Sequence, residues 1–256
     1  MKNLTLYKTI LENLKDNYIL IKDSDNIIYY NNKKAITLLN KTNNNPGSKL
    51  IKVNSDYFKY NISDISVEDK KYSLYQYIDV SNEIRNAIID PRTNALNMQG
   101  LNLEINEFIR KNKKGTVIMV DLDNFKQIND NYSHNAGDFI LKEVSKIFLN
   151  TTSENDLVVR YGGDEFLIIS NSPVDKSLKI AEDIRNKIDS SKFKYRGKTI
   201  HATATIGVKE FSGEDDITKI VDEADILMYV GKNNGKNQIT GEKVKKKDII
   251  NVTSFF

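Results

Sequence analysis

The sequence of 256 residues has no cysteine and no tryptophan, and it has only two histidines and three prolines. Without cysteine there can be no disulfide bonds and no thiolate metal ligands, which fits a reducing compartment. His134 and His201 alone cannot complete a typical zinc site. Disulfide bonds and thiolate metal sites are therefore excluded, and the two histidines do not by themselves indicate a zinc site.

Long apolar runs are also missing. No stretch approaches the roughly 18 apolar residues of a membrane-spanning helix, and the N-terminus lacks the apolar core and cleavage site of a signal peptide. The formal net charge is only +3, with acidic and basic residues interspersed, which argues against a dedicated nucleic-acid binder. We therefore expect a cytoplasmic protein without a membrane span and without a nucleic-acid partner.

A first acidic cluster lies in the segment Gly-Gly-Asp-Glu-Phe at residues 162–166. Apolar runs precede and follow it, and this pattern predicts a β-hairpin with the acidic residues at its turn. Gly162 and Gly163 carry no Cβ, so that a phosphate or a base can approach the backbone closely. Taken alone, the segment is equally compatible with an ordinary turn.

A second acidic cluster, Asp121 and Asp123, follows the apolar, β-branched run 116–120, which predicts a buried strand. The carboxylates of a strand end and of a hairpin tip can lie close together. At such a short distance, like charges raise each other's pKa. A divalent cation removes this penalty, and Mg²⁺ takes oxygen ligands while leaving room for substrate phosphates. The layout predicts a metal-dependent phosphoryl or nucleotidyl transferase.

Five ordered blocks make the prediction more specific. They are RYGGDEF at 160–166, DLDNFKQIND from Asp121, HNAGD from His134 to Asp138, HATATIGV at 201–208 and ADILMYVGKNNGKN at 224–237. Over roughly residues 88 to 240 they resemble the GGDEF family of diguanylate cyclases. The predicted order of strand, helix, strand, strand, helix, strand is ferredoxin-like, as in polymerase palms and nucleotide cyclases. We therefore expect an α+β fold with a central antiparallel sheet.

The residues before this region predict a helix with an apolar stripe from Leu4 to Leu14, two strands, a short helix and three further strands. This order weakly resembles a PAS sensor domain. A small α+β dimerisation module without a ligand is the alternative. The expected domains are 1–80, PAS-like sensor or dimerisation domain; 81–89, connecting helix; 90–241, GGDEF catalytic domain; and 242–256, basic tail.

The family resemblance assigns catalysis to Asp121, Asp164 and Glu165. It implies that Mg²⁺ or Mn²⁺ is bound by Asp121, the carbonyl of Leu122 and Asp164. Glu165 would support a second cation or help to activate the 3′-hydroxyl of the substrate.

The substrate-binding set that the resemblance implies is Asn129, Asp138, Lys126, Gly163, Phe125, Lys232 and Lys236. Asn129 and Asp138 match the guanine-reading positions, since an amide offers a donor and an acceptor and a carboxylate accepts from N1–H and the 2-amino group. The three lysines match triphosphate contacts. Lys236 stands where the family usually has arginine, so a bidentate fork becomes a point charge. Asp123 is expected to face the interior and cap the helix that starts near Phe125.

Two stretches depart from the family pattern. Ser153-Glu-Asn-Asp156 stands where many members carry Arg-x-x-Asp, whose arginine grips the product. A serine hydroxyl cannot supply those bidentate charged contacts, so we expect no product-inhibition site. Asp90 to Met98 resembles the N-terminal signature DxLTGLxNR, but Arg92, Asn94, Ala95 and Met98 replace the usual leucine, glycine, leucine and arginine. We expect these departures to affect signal coupling rather than the nucleotide site.

The resemblance implies that a homodimer condenses two GTP into cyclic di-GMP and releases pyrophosphate. It also implies regulation by the N-terminal domain, which could take a small molecule or a partner protein. A non-catalytic regulator that binds GTP or cyclic di-GMP is the alternative, and a cyclase with another dinucleotide product is a third hypothesis.

Overall fold

The computed structural model describes residues 17–22, 24, 26–30, 33–43, 50–67 and 70–241. The helix predicted from Leu4 to Leu14 and the basic tail predicted at 242–256 lie outside the described residues. The chain divides into two compact units, Met1–Asn86 and Ala87–Phe256. Among the described residues, no helix is long and apolar enough to span a bilayer.

The N-terminal unit contains β1 (Asn17–Lys22), β2 (Ile27–Tyr30), α1 (Lys33–Asn43), β3 (Leu50–Val53), β4 (Asp56–Val67) and β5 (Lys70–Asp79). The strands form one antiparallel sheet in the order β2-β1-β5-β4-β3. Two strands, a helix and three strands are the order that the sequence predicts for the described part of this unit. The PAS-like assignment and a ligand for this unit stay predictions.

Helix α1 and the sheet share an aromatic-rich core. Leu38, Phe58 and Tyr77 are fully buried in it, because alternate residues of a strand face the same side. The Tyr77 hydroxyl lies 3.2 Å from the Thr42 hydroxyl, and burial raises the pKa of Tyr77 to about 12. The buried phenol therefore stays neutral and hydrogen-bonded.

The connecting helix is α2 (Ser81–Ile88). The C-terminal unit then contains α3 (Met98–Lys111), β6 (Lys114–Leu122), α4 (Phe125–Tyr132), α5 (His134–Thr151), β7 (Leu157–Arg160), β8 (Glu165–Ser170), α6 (Val174–Ser190), β9 (Phe193–Tyr195), β10 (Lys198–Ile200), β11 (Ala204–Ser212), α7 (Ile217–Asn233) and β12 (Ile239–Thr240). Its central sheet has the order β12-β11-β6-β8-β7. All pairs are antiparallel except β11 with β12, which confirms the expected fold class.

Strand β6 lies at the centre of the sheet and is buried on both faces. Ile118 and Val120 belong to the core that also contains residues of α5 and α6, whereas Val117 and Met119 belong to the core with residues of α3 and α7. This confirms the buried strand predicted at 116–120. The short hairpin of β9 and β10 was not expected from the sequence.

Helix α7 lies very close to β11 at Gly207. A Cβ at this position would come within 2.0 Å of the Ala224 carbonyl oxygen and 2.5 Å of the Met228 backbone nitrogen. Both obstacles are backbone atoms, so that relief would require the helix to move. Glycine is therefore needed here for close approach rather than for an unusual dihedral angle.

We predict that Gly207→Ala lowers the free energy of unfolding by about 1–3 kcal/mol, because the added methyl group overpacks a rigid contact. Urea denaturation would measure the loss. Gly213→Ala is the matched control, since a Cβ there meets nothing closer than 3.3 Å. Equal stability of the two variants would mean that α7 can shift away from β11 without cost.

Candidate active site

The central sheet brings three carboxylates to one end. Strands β6 and β8 are antiparallel neighbours, and their register places Asp121 directly opposite Glu165. Asp164 precedes β8, and its carbonyl oxygen accepts a hydrogen bond from the Leu122 nitrogen at 3.4 Å. The strand end and the hairpin tip thus meet, as the two acidic clusters predicted.

The hairpin of β7 and β8 encloses the glycine turn. The Tyr161 and Gly162 nitrogens both donate to the Glu165 carbonyl, at 2.9 and 3.2 Å. A Cβ on Gly162 would lie 2.5 Å from Glu165 Oε2, whereas a Cβ on Gly163 would have nothing within 4 Å. Gly162 therefore leaves room for the Glu165 carboxylate, and Gly163 borders open space.

Arg160 fastens this turn to the segment that follows α2. Its Nη2 donates to the Gly163 carbonyl at 2.8 Å, and its Nη1 lies 3.2 Å from Asp90 Oδ2. The Leu96 nitrogen donates to Val158 O, and the Arg160 nitrogen donates to Leu96 O. The turn is consequently held from both sides, by β8 and by residues 90–96.

Burial, together with neighbouring negative charge, raises the pKa values of Asp121 and Glu165. Burial is the largest cause that raises the pKa of Asp121 to about 6, and Asp164 and Glu165 add to it while Lys232 opposes it. Burial, then Asp225 and Asp164, also raise the pKa of Glu165. Ionisation of these two carboxyl groups is therefore less favourable in the folded protein than in water.

Lys232 is the cation nearest to this charge in the described structure. It lies near the end of α7, and its Nζ donates to Asp121 Oδ1 in a contact where both side chains are largely buried. The sequence placed Lys232 at the triphosphate. A phosphate contact by Lys232 would require it to release or share Asp121.

The donor set fits a hard cation such as Mg²⁺. Within the described residues, no group of three or more His, Asp and Glu side chains is arranged as a ready metal cage. Mg²⁺ is usually held by one or two carboxylates together with substrate phosphates and water rather than by such a cage. Asp121, Asp164 and the Leu122 carbonyl supply oxygen ligands of this kind.

Asp123 faces the interior, as predicted, but it does not cap α4. Its carboxylate accepts hydrogen bonds from the Thr203 and Thr205 hydroxyls, both at 2.7 Å, and from the Asn237 nitrogen at 3.0 Å. The N-cap of α4 is Asn124, which is left-handed with φ 55° and makes no side-chain cap. The prediction of a cap was wrong because the hydroxyl groups of Thr203 and of the buried Thr205 compete for the carboxylate.

The residues assigned to the guanine base lie on two successive helices. Asn129 belongs to α4 and Asp138 to α5. Gly137 leaves room between them, since a Cβ on it would be 2.0 Å from Asn129 Oδ1. Arg92 Nε lies 3.7 Å from Asp138 Oδ2. Arg92 therefore lies beside the candidate nucleotide site. The expectation from the sequence missed this position. The only sign of it in the sequence was a charged residue where the family carries leucine.

The other predicted substrate residues are spread around α4. Lys126 is exposed on this helix, and Phe125 is partly buried against the core. Lys236 Nζ donates to Asn124 Oδ1 at 2.5 Å. Lys236 is therefore anchored beside the first turn of α4.

Asp156 has a structural role in its own loop. Its carboxylate accepts hydrogen bonds from the Ser153 nitrogen at 2.8 Å and from the Asn171 nitrogen at 3.3 Å. The side chain is buried. Its oxygens are consequently engaged with backbone donors.

Comparison with known proteins identifies the family. The model described as "Diguanylate cyclase, GGDEF domain" matches residues 87–238, which is more than half of the chain. The chain therefore belongs to the GGDEF family of diguanylate cyclases, as its motifs indicated.

Two relatives carry the name of this activity. Over 141 residues the chain is 38% identical to Diguanylate cyclase A of Treponema denticola, a match that covers 54% of this chain and 38% of that protein. Over 138 residues it is 37% identical to Diguanylate cyclase DosC of Escherichia coli, covering 52% of this chain and 30% of that protein. The matched region is therefore well under half of either relative.

A solved structure shares the fold. The coiled coil and GGDEF domain of DgcB from Caulobacter crescentus, in complex with c-di-GMP, matches with a TM-score of 0.60 and 23% identity. The match covers 63% of this chain and 89% of that one. At this identity it supports the architecture alone.

We predict that Asp121→Asn is more stable than the unsubstituted protein in EDTA at pH 8, by up to about 3 kcal/mol. The unfolded chain releases the Asp121 proton near pH 3.8 and the folded chain near pH 6. The stability of the unsubstituted protein therefore falls as the pH rises through this interval. The variant therefore has its full stability advantage above this pH interval and none below it.

Chemical denaturation across this pH range would measure the difference. Asp183→Asn, on the exposed face of α6, controls for the loss of one negative charge. If Asp121→Asn gains nothing over this control at pH 8, the carboxylate is not held at an energetic cost.

Proposed function

We propose that this protein is a diguanylate cyclase that condenses two GTP into cyclic di-GMP and releases pyrophosphate. The observation that carries the proposal is the meeting of Asp121, Asp164 and Glu165 at the ends of adjacent strands, beside a glycine turn that borders open space. Membership of the GGDEF family supports the same reaction.

Asp121, Asp164 and the Leu122 carbonyl would hold Mg²⁺ or Mn²⁺. Such a cation, when bound, lowers the pKa of the attacking hydroxyl and neutralises charge that develops on the phosphate. Glu165 has a raised pKa, which brings it closer to the basicity that proton transfer from a 3′-hydroxyl needs. We assign it to a second cation or to that proton.

Positive side chains would position the triphosphate. When Asp121 holds the cation, it would release the Lys232 ammonium, which would then be available to phosphate oxygens. Lys236, anchored on Asn124, and the exposed Lys126 lie at the start of α4 and add further charge. As ammonium groups they act as point charges and not as bidentate forks.

Each protomer would bind one GTP, with Asn129 and Asp138 at the guanine edge. Joining two such nucleotides requires two protomers to face each other, so a homodimer is part of the proposal. The N-terminal unit would regulate this encounter through a small molecule or a partner protein. The engagement of Asp156 by backbone nitrogens, together with Ser153 in place of arginine, supports the absence of a product-inhibition site.

We predict that Asp164→Ala abolishes turnover of GTP with Mg²⁺ while the fold stays intact. Loss of a metal ligand removes several kcal/mol of transition-state stabilisation, or at least about a hundredfold in rate. Product identified by mass spectrometry and circular dichroism of the variant test the two parts. Asp183→Ala, exposed on α6, is the control.

More than a tenth of normal activity in Asp164→Ala would contradict the assignment. If the unsubstituted protein binds GTP but forms no product, the non-catalytic regulator is the better hypothesis.

We predict cyclic di-GMP as the dominant product when GTP and ATP are supplied at equal concentration. Adenine has no 2-amino group and its N1 is an acceptor, so the Asp138 carboxylate would stay unpaired against it. A charged acceptor that the bound base covers and leaves unpaired costs about 1–3 kcal/mol, or roughly fivefold to more than a hundredfold in discrimination. A large share of mixed GMP–AMP dinucleotide would refute the assignment of Asp138 but not the cyclase.

A further inference from the structure

Arg92 has no role in the mechanism above, yet it lies against a residue that the mechanism uses. Its Nε is 3.7 Å from Asp138 Oδ2, and the two side chains are 59% and 43% exposed. An ion pair this long and this exposed contributes little to stability. The Arg92 guanidinium can therefore exchange this contact for one with a ligand at low cost.

The backbone of Arg92 is fixed, although its side chain is exposed. Pro91 precedes it and restricts the chain, and the Arg92 nitrogen donates to Asp90 Oδ1 at 3.2 Å. The next residue, Thr93, accepts a hydrogen bond on its carbonyl from the Ser145 hydroxyl of α5 at 2.8 Å. Arg92 is thus anchored to the helix that carries Asp138, and only its side chain is free to reorient.

The chemistry of the guanine edge explains why an arginine beside Asp138 matters. The 2-amino group and N1–H are donors, which suit a carboxylate, and O6 and N7 follow them around the ring as acceptors. An ionised Asp138 carboxylate accepts hydrogen bonds but cannot donate them. Arginine supplies paired donors, and its bidentate contact with O6 and N7 is the commonest specific contact to guanine.

We propose that Arg92 is a specificity-determining residue that donates to O6 and N7 of the guanine while Asp138 accepts from N1–H and the 2-amino group. The inference rests on the proposed function, because it places the base at Asp138. Adenine carries an amino group in place of O6, and a guanidinium cannot accept a hydrogen bond from it. Arg92 and Asp138 would therefore reject adenine at adjacent positions.

A competing role for Arg92 predicts the opposite effect. If the ion pair with Asp138 blocked the carboxylate, guanine would have to displace Arg92. Removal of Arg92 would then strengthen nucleotide binding. Affinity for the base therefore separates the two roles.

Calorimetric titration of the full chain with GDP and 7-deaza-GDP tests the inference, because neither nucleotide can release pyrophosphate. The 7-deaza base lacks only the N7 acceptor. We expect the unsubstituted protein to bind 7-deaza-GDP about fivefold to tenfold more weakly than GDP, at the low end for a bidentate contact because the site is partly exposed. Arg92→Leu should bind GDP about tenfold more weakly and should no longer distinguish the two nucleotides.

Two further variants sharpen the test. Arg92→Lys keeps the charge but not the paired donors, so its discrimination against 7-deaza-GDP should be largely lost while part of its GDP affinity remains. Arg110→Leu, on the exposed face of α3, makes the same change away from the site and should bind both nucleotides as the unsubstituted protein does. Thermal melting of all variants checks that they fold.

Arg92→Leu that binds GDP as tightly as the unsubstituted protein, or more tightly, would overturn the inference and leave the proposed function standing. The same holds if Arg92→Leu still discriminates against the 7-deaza base. If the unsubstituted protein binds no GDP, or if Asp138→Ala binds it unchanged, the placement of the base fails and the proposed function is contradicted with it.

Discussion

The candidate active site places carboxyl groups of two neighbouring strands close together and partly out of water. The register of β6 with β8 sets Asp121 opposite Glu165, and like charges directly opposite each other destabilise a sheet. Strand β6 keeps its place despite these charges because apolar residues bury both of its faces. Lys232 offsets part of the cost by pairing with Asp121, but burial first, and then the charges of Asp164 and Glu165, still raise the pKa of Asp121. A cation bound between these carboxylates would offset the cost of ionising them.

Local patterns in the sequence were enough to predict the hairpin at 162–166, the buried strand before Asp121 and the order of the helices. Each depends on neighbouring residues, through glycine pairs or apolar periodicity. The contacts of Lys232 and Arg92 could not be predicted in this way. Lys232 meets Asp121 across 111 positions, and Arg92 meets Asp138 only because the 90–96 segment docks on β7 and α5. Such pairings follow from tertiary packing, which no local period encodes.

The difference between local patterns and tertiary contacts also explains why the prediction that Asp123 caps α4 was wrong. An aspartate shortly before a helix commonly serves as its N-cap, and the sequence offered no competing partner nearby. The hydrogen-bond partners that Asp123 has in the structure are Thr203, Thr205 and Asn237. They lie far along the sequence, towards the C-terminal end of the domain. Burial decides the outcome, since a carboxylate that is only 4% exposed needs every donor it can reach.

The hydrogen bonds of Asp123 also have a consequence for biosynthesis. Its partners are 80, 82 and 114 positions further along the chain, so that these hydrogen bonds can form only after the partner residues have been synthesised. A growing chain that has not yet reached Asn237 would have to bury the Asp123 carboxylate without its full set of donors. A chain that ends before Asn237 therefore lacks one of the donors that hold the Asp123 carboxylate next to the strand end that carries Asp121.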